Sequence, residues 1–331
     1  MRDWPRAVRS LHQAKQMMLE SLMRWSLSDA NGSDGDSLTL TLSSVNVDGL
    51  PPKGEQYQVM LDGVDRGSFK ISNRSFSIQP RTVDITMTVA PLSLKDNTGY
   101  RSRSNGSWHN TTLGQVIVDC VTPHGFTAIV APELQKIEIE NLYRTDESVH
   151  AFLRRLAKQY DAISKPVENG GFIFVPKGKA VSATGLSIES IMLSLPLVNE
   201  PQSSKFVNVT GELDGRDDFS GVETFFTRME DGTKQPVQIG RAPFKRLSQE
   251  QSNEKEAIQT ASAELRKIQR QGRKLSIDAP VMANAFAEGL LVLDKSFPDV
   301  AQGKYSIDSV RISGSGRSAK RMALAATLTG E

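Results

Sequence analysis

The chain changes its hydrophobic period twice. From Met23 the apolar residues fall at every second position: Met23, Trp25 and Leu27 alternate with Arg24, Ser26 and Ser28. That spacing puts one face of a strand in a core and the other in water. DANGSDGD (29–36) is turn chemistry. Leu38, Leu40 and Leu42 then alternate with Thr39 and Thr41, so the pattern predicts a β-hairpin. Further strands are predicted at 56–61, 67–78 and 82–89, the last with Val83, Ile85, Met87 and Val89 on one face. Closely spaced short strands with Gly and Pro turns suggest a barrel or sandwich. Ahead of them, LHQAKQMMLESLM reads as a short Met-rich helix.

The polar, Gly/Ser-rich stretch LKDNTGYRSRSNGS (94–107) predicts a domain boundary. The period then becomes helical. Thr111 is placed as an N-cap, Leu113, Val116, Ile117, Cys120 and Val121 form one apolar stripe, and Pro123 and Gly125 end the helix. Short strands follow near 126–130 and 136–140. A second helix is predicted with Thr145 as its cap and Asp146 and Glu147 in its first turn, where acids favour the helix dipole. Val149, Phe152, Leu153, Leu156 and Tyr160 lie on its apolar face, and Arg154, Arg155 and Lys158 lie outside it. That basic face is a solvated surface or a contact for an acidic partner. GGFIFVPKG (170–178) is a strand ending in a turn, which makes 96–178 a compact α/β unit.

β patterning returns at 189–199, 205–212, 221–228 and 235–239, and again at 274–279, 290–293, 304–312 and 321–328. One helix interrupts it at 253–271. Asn253 with Glu256 three residues later makes a capping-box start, Ile258, Ala261, Leu265 and Ile268 form its stripe, and Gly272 stops it. The fold class is therefore α+β and mainly β. The predicted domains are 1–95, a β-rich unit; 96–178, an α/β unit; and 179–331, a second β-rich unit with one helix.

The 331 residues fit two or three domains. Forty basic against 38 acidic residues leave a net charge of +2, which gives no general electrostatic case for nucleic acid or an anionic membrane. A single cysteine, Cys120, excludes an internal disulfide framework and a Cys-based zinc site. The start lacks the apolar core of a signal peptide, and no run approaches the roughly 18 apolar residues of a membrane span. Cytoplasmic synthesis and assembly are expected, which makes the five Asn-x-Ser/Thr sequons incidental.

Motifs that suggest chemistry fail on spacing. Asp29, Asn31 and Ser33 imitate a calcium loop, but Asp34 stands where the glycine belongs and Leu40 where the glutamate belongs. GSGRSAK (314–320) lacks phosphate-loop spacing and lies between two predicted strands. Phe172 and Phe174 sit on a strand like the stacking aromatics of an RNA-recognition sheet, without the basic residue that opens that motif. His109 and His124 are too isolated for a metal pair, and no GxSxG elbow is present. A Ser/His/Asp triad assembled in space stays open, since triads carry no fixed spacing.

RSRSNGSWHNTTLGQVI, HGF, APEL, TDESVHAFLRRLAKQYDA and GGFIFVPKG together resemble the late control D proteins of contractile-tailed temperate phages, the hub proteins of the tail baseplate. These are similar to the hub-like half of the VgrG proteins of type VI secretion. Trp108, His109, Thr111, Thr112, Leu113, Gly114, Asp146, Glu147, Ser148, Phe152, Leu153, Leu156 and Ala157 occupy the places of the family pattern. An Asn-Gly insertion before Ser107 departs from it and lengthens a loop. The resemblance is strong over 100–178 and looser over the rest of 21–331.

It implies two small β-barrels with an α/β domain between them, and a homotrimer that joins a sixfold tail tube to a threefold spike. It implies spike, tube, other baseplate and tape-measure proteins as partners, DNA passing through a channel without specific binding, no membrane insertion, no cofactor and no catalysis. Trp108 is then a packing anchor at the domain corner and His109 a hydrogen-bonding partner of nearby backbone. Two other classes stay open: a tail-associated cell-wall hydrolase, for which no hydrolase constellation is found, and a DNA-binding late-gene regulator, for which no helix-turn-helix is found.

Overall fold

A computed structural model of the chain describes residues 11–30, 36–44, 51–88, 99–167, 170–178, 190–212, 219–228, 230–271, 274–316 and 319–329. The first part holds α1 (Leu11–Glu20), β1 (Leu22–Ala30), β2 (Ser37–Ser43), β3 (Gln56–Leu61), β4 (Val64–Ile78) and β5 (Arg81–Thr88). The middle holds β6 (Arg103–Thr112), α2 (Leu113–Val121), β7 (Thr127–Val130), α3 (Pro132–Gln135), β8 (Glu138–Ser148), α4 (Val149–Gln159), β9 (Ala162–Pro166) and β10 (Gly171–Pro176). The last part holds β11 (Ile191–Leu193), β12 (Asn208–Glu212), β13 (Gly221–Thr227), β14 (Lys234–Gly240), β15 (Phe244–Gln251), α5 (Glu254–Gln271), β16 (Lys274–Ala279), β17 (Leu290–Leu293), β18 (Gly303–Ser315) and β19 (Ala319–Leu328).

Most period-two segments become strands, although among the described residues of 189–199 only Ile191–Leu193 does, and the mainly β class holds. The two ends of the chain, however, share one sheet of order β12-β16-β19-β18-β1-β2-β5-β4-β3, with β17 and β11 branching from β18. The seam is β1 against β18, antiparallel from Arg24↔Ser315 to Ala30↔Ser309. Among the described residues no ring of strands closes into a barrel. Leucine, isoleucine and methionine from both ends, including Leu27, Leu42, Ile85, Met87, Ile312 and Met322, fill one core. Most outward positions carry small polar side chains instead, and Arg24, Asp84 and Arg311 stand between them. Asn73, Thr86, Thr39, Ser26 and Ser313 stand in register across five neighbouring strands.

The middle part has its own core. The parallel pair β7–β10 and the antiparallel pair β10–β9 make a small sheet, and α2 and α4 bury Leu113, Val116, Ile117, Phe152, Leu153 and Leu156 with it. Phe172 and Phe174 on one face of β10 are 0 % exposed, and Ile173 and Val175 on the other are 1 % exposed, so β10 is buried on both faces and offers no stacking platform. The boundary placed at 94–107 and the one at 178/179 both touch residues outside the described ones, as do parts of 29–36 and 314–320 and the stop at Gly272.

Near the C-terminus α5 packs on β13 and β14. Asn253 Oδ1 accepts from the Glu256 N–H (2.9 Å) and Glu256 Oε2 accepts from the Ser252 N–H (3.0 Å), so the capping residues are the expected ones. The buried face is rotated from the expected stripe. Ala257 and Ala261 are fully buried and Ile258 is exposed, because alanine lets the helix sit close to the small sheet.

Candidate functional site

The signature segment builds a two-stranded ribbon with a helix on each strand. β6 and β8 pair antiparallel from Arg103↔Ser148 to Thr112↔Glu138. Each strand runs directly into a helix, β6 into α2 and β8 into α4. The polar stretch 103–107 is thus strand, and the Asn-Gly insertion sits at a register shift between Ser104 and Gly106.

Both helix starts differ from expectation. Thr112, one residue beyond Thr111, caps α2 by accepting from the Gln115 N–H (3.3 Å). Thr111 pairs with Ile139 in the ribbon. Ser148 caps α4 through the Ala151 N–H (3.1 Å), so Thr145, Asp146 and Glu147 belong to β8. The ribbon pairing competes for these residues and delays the helix by one turn. Asp146 takes φ 47°, donates its N–H to Asn105 Oδ1 (2.8 Å) and meets exposed Arg103 at 3.0 Å. Glu147 pairs with Arg155 at 3.2 Å.

Trp108 stacks on Phe152 with 5.2 Å between ring centroids and 15° between planes, and its Nε1–H donates to Asp119 Oδ2 at 3.2 Å. The indole therefore pins the ribbon to α4 and α2 together. Gly106 leaves room for it, since a Cβ there would lie 2.9 Å from the indole edge. His109 Nδ1 lies 2.7 Å from Asn141 Oδ1, directly opposite in the ribbon. Its partner is thus a side chain and not the backbone. Gly114 permits the close crossing of α2 and α3, because a Cβ would stand 2.5 Å from Gln135 Cγ and 3.0 Å from Gln135 O. Gly114→Ala should cost about 1–3 kcal/mol in urea denaturation. A loss below 0.5 kcal/mol would show that α3 yields freely.

Cys120 is 3 % exposed, and burial pushes its thiol up to about 12, which keeps it protonated and unreactive. Among the described residues no three His, Cys, Asp or Glu side chains converge to hold a metal. No described helix is long and apolar enough to cross a membrane.

The most unusual chemistry lies elsewhere. Asp29, expected in a turn, is an inward residue of β1 and only 4 % exposed. It accepts from Arg66 Nη2 (3.3 Å), Lys165 Nζ (3.4 Å) and the Ala287 N–H (2.9 Å). Arg66 of β4 also donates to the carbonyls of Ala285 (2.6 Å) and Ala283 (3.2 Å) and lies 3.9 Å over the Phe286 ring. Lys165 of β9 reaches Ala30 O (3.1 Å), Asp36 (3.4 Å) and Glu288 (3.0 Å). Burial alone would raise Asp29, but Lys165, Arg66 and the Ala287 N–H outweigh it and hold its carboxyl below the usual range. One network therefore ties all three parts of the chain. Its single legible trace is parity: Asp29 continues the inward series Trp25, Leu27, where a charge is out of place unless it is paired.

No protein-family profile matches the chain. Over 181 residues it is 29 % identical to the "probable baseplate hub protein" of Escherichia phage P2, covering 53 % of this chain and 46 % of the relative. It is 28 % identical over 181 residues to the protein of the same description in Escherichia phage 186, covering 53 % and 45 %. The chain thus spans a little under half the length of these relatives. In fold it is similar to a 43 kDa tail protein of prophage MuSo2 from Shewanella oneidensis, with TM-score 0.63, 14 % identity and coverage of 93 % and 94 %. It is likewise similar to a type VI secretion component of E. coli, with TM-score 0.59, 10 % identity and coverage of 94 % and 74 %. A mainly β chain whose two ends share one sheet around an α/β middle is thus similar in sequence to phage baseplate hub proteins, and in fold to phage tail and type VI secretion proteins.

Proposed function

We propose that the protein is a structural hub of a contractile-tail baseplate. It would act as a homotrimer that joins the sixfold tail tube to the threefold spike, in the virion or in a tail-derived particle. The observation that carries this is the sequence similarity to two phage hub proteins, together with a fold shared along nearly the whole chain with a prophage tail protein. In this reading residues 1–95 and 179–331 are the two barrel-like halves, and 96–178 is the domain between them. Two similar halves in each of three copies would present six units to the tube.

The outward face of β18, β1, β2 and β5 suits a passage for DNA and tape-measure protein. Serine and threonine hydroxyls dominate it, and few charges are there to hold a polyanion. The buried, protonated thiol and the side chains spent on pairing around Trp108 and His109 support a role without catalysis.

The test is molar mass by light scattering, alone and mixed with the spike protein of the same tail. A trimer, alone or on mixing, is expected. A monomer in both samples with no complex would overturn the hub reading.

A further inference from the structure

Among the described residues, the charge network that joins the three parts of the chain does not balance. Arg66 and Lys165 bring two positive charges, and Asp29, Asp36 and Glu288 bring three negative ones. Arg66, Lys165, Asp29 and Glu288 have side chains 2–8 % exposed, and Asp36 is 24 % exposed. A surplus negative charge in such a place is costly, and a carboxyl there gains a proton more readily than it stays ionised.

We propose that this network is a proton-binding site that holds one proton in the folded protein, on either Glu288 or Asp36. Asp29 is not the seat, because two cations and a backbone N–H converge on it. Glu288 is the poorest-served carboxylate. Lys165, 3.0 Å from its Oε1, is the one cation paired with it among the described residues, and no second donor serves that oxygen. Glu288 is also a non-glycine residue at φ 69°, fixed there by its N–H to Ile307 O (3.0 Å), so the backbone holds it in an uncommon conformation beside the cluster. The groups facing it are Lys165 from β9, Asp29 from β1 and Asp36 ahead of β2, and Arg66 from β4 faces the two aspartates. Burial pushes Glu288 up to about 8 and Asp36 up to about 7, each against the pull of Lys165, and repulsion among the carboxylates adds to it. The two carboxyls are coupled, so the apparent values belong to the pair and not to either residue, and the count of one proton comes from the surplus of one carboxylate over the cations.

The sign of the linkage follows. An unfolded carboxyl loses its proton near pH 4 to 4.5, and the folded cluster loses it near pH 7 to 8. The extra stability is complete below the unfolded value and is lost as pH rises through the folded one. In the rising limb one linked proton changes the unfolding constant by up to about tenfold per pH unit.

The first measurement is the infrared spectrum of the intact protein between pH 6 and 9. A protonated-carboxyl C=O band should persist at pH 6.5 and vanish by pH 9. Its absence at pH 6.5 overturns the proposal. The second is urea denaturation from pH 5.5 to 9 for wild type, Glu288→Gln and Asp36→Asn. Each variant removes the surplus charge, so the band should disappear and the pH slope should fall by about one proton, up to tenfold per unit. Slopes equal to wild type in both variants also overturn it. The infrared measurement on the wild type decides alone if neither variant folds.

Discussion

Replacing Lys165 by methionine should lower the unfolding free energy by about 3–5 kcal/mol, the cost of stripping the partner from buried charges. Lys165 Nζ has four oxygens within 3.4 Å, three of them from carboxyl groups and one the Ala30 carbonyl. Methionine fills a similar volume but leaves Arg66 alone against Asp29, Asp36 and Glu288. A loss of this size is a large share of the ~5–15 kcal/mol that holds an ordinary domain folded. The loss should also depend on pH. At pH 5.5 the orphaned carboxyls can take up protons, and at pH 8.5 they cannot do so as readily, so the variant should suffer more in alkali. Urea denaturation at the two pH values, followed by circular dichroism, measures this. A loss under 1 kcal/mol at pH 8.5 would mean that water enters and solvates the carboxylates once the lysine is gone.

The parity of apolar residues was enough to find most strands of the large sheet. Leu38, Leu40 and Leu42, or Val83, Ile85 and Met87, announce a buried face because side chains alternate strictly along a strand. Parity does not say which strand lies alongside. The β1–β18 seam joins residues some 290 positions apart, and nothing in either strand names the other. β6 and β9 escaped for a different reason. β6 is polar because much of the ribbon is exposed, and its strand form comes from β8 rather than from its own composition. β9, AISKP, contains Lys165 and Pro166, which read as loop, yet every one of its residues is buried. Its lysine is tolerated there by charges from two other parts of the chain.

The site residues divide in the same way. Leu113, Phe152, Leu153 and Leu156 declared themselves as core through helical spacing, and all are 0 % exposed. Trp108 was legible as an anchor, though not its partners Phe152 and Asp119, since the contact depends on how the ribbon folds back on α4. The caps were displaced because Thr111, Thr145 and Asp146 suit a helix start and a strand end equally well, and only the pairing of β6 with β8 decides between them. Glu288 and Asp36 had no local signal at all. Their importance is a sum of charges brought together in space.

The second large effect is expected at the ring pair that fixes the ribbon. Phe152 is fully buried, stacks beneath Trp108 and lies 5.1 Å from the Arg155 guanidinium. Phe152→Ala removes a large side chain from the centre of the middle core and takes away the floor on which the indole rests, so a loss of about 3–5 kcal/mol is expected. Phe152→Leu keeps most of the volume and should cost under half as much. Trp108→Ala should cost less than Phe152→Ala, because the indole is only partly buried, while still releasing β6 from α4 and taking the indole donor from Asp119 Oδ2, with Gln115 still donating to Oδ1. If the stack itself holds the ribbon, the two alanine variants are not additive. The double variant should be more stable than the sum of single losses predicts, by about 0.5–1.5 kcal/mol. Additivity within 0.3 kcal/mol would mean that Phe152 serves the core and Trp108 the ribbon independently. Trp108 would then lose its role as the anchor that joins strand to helix.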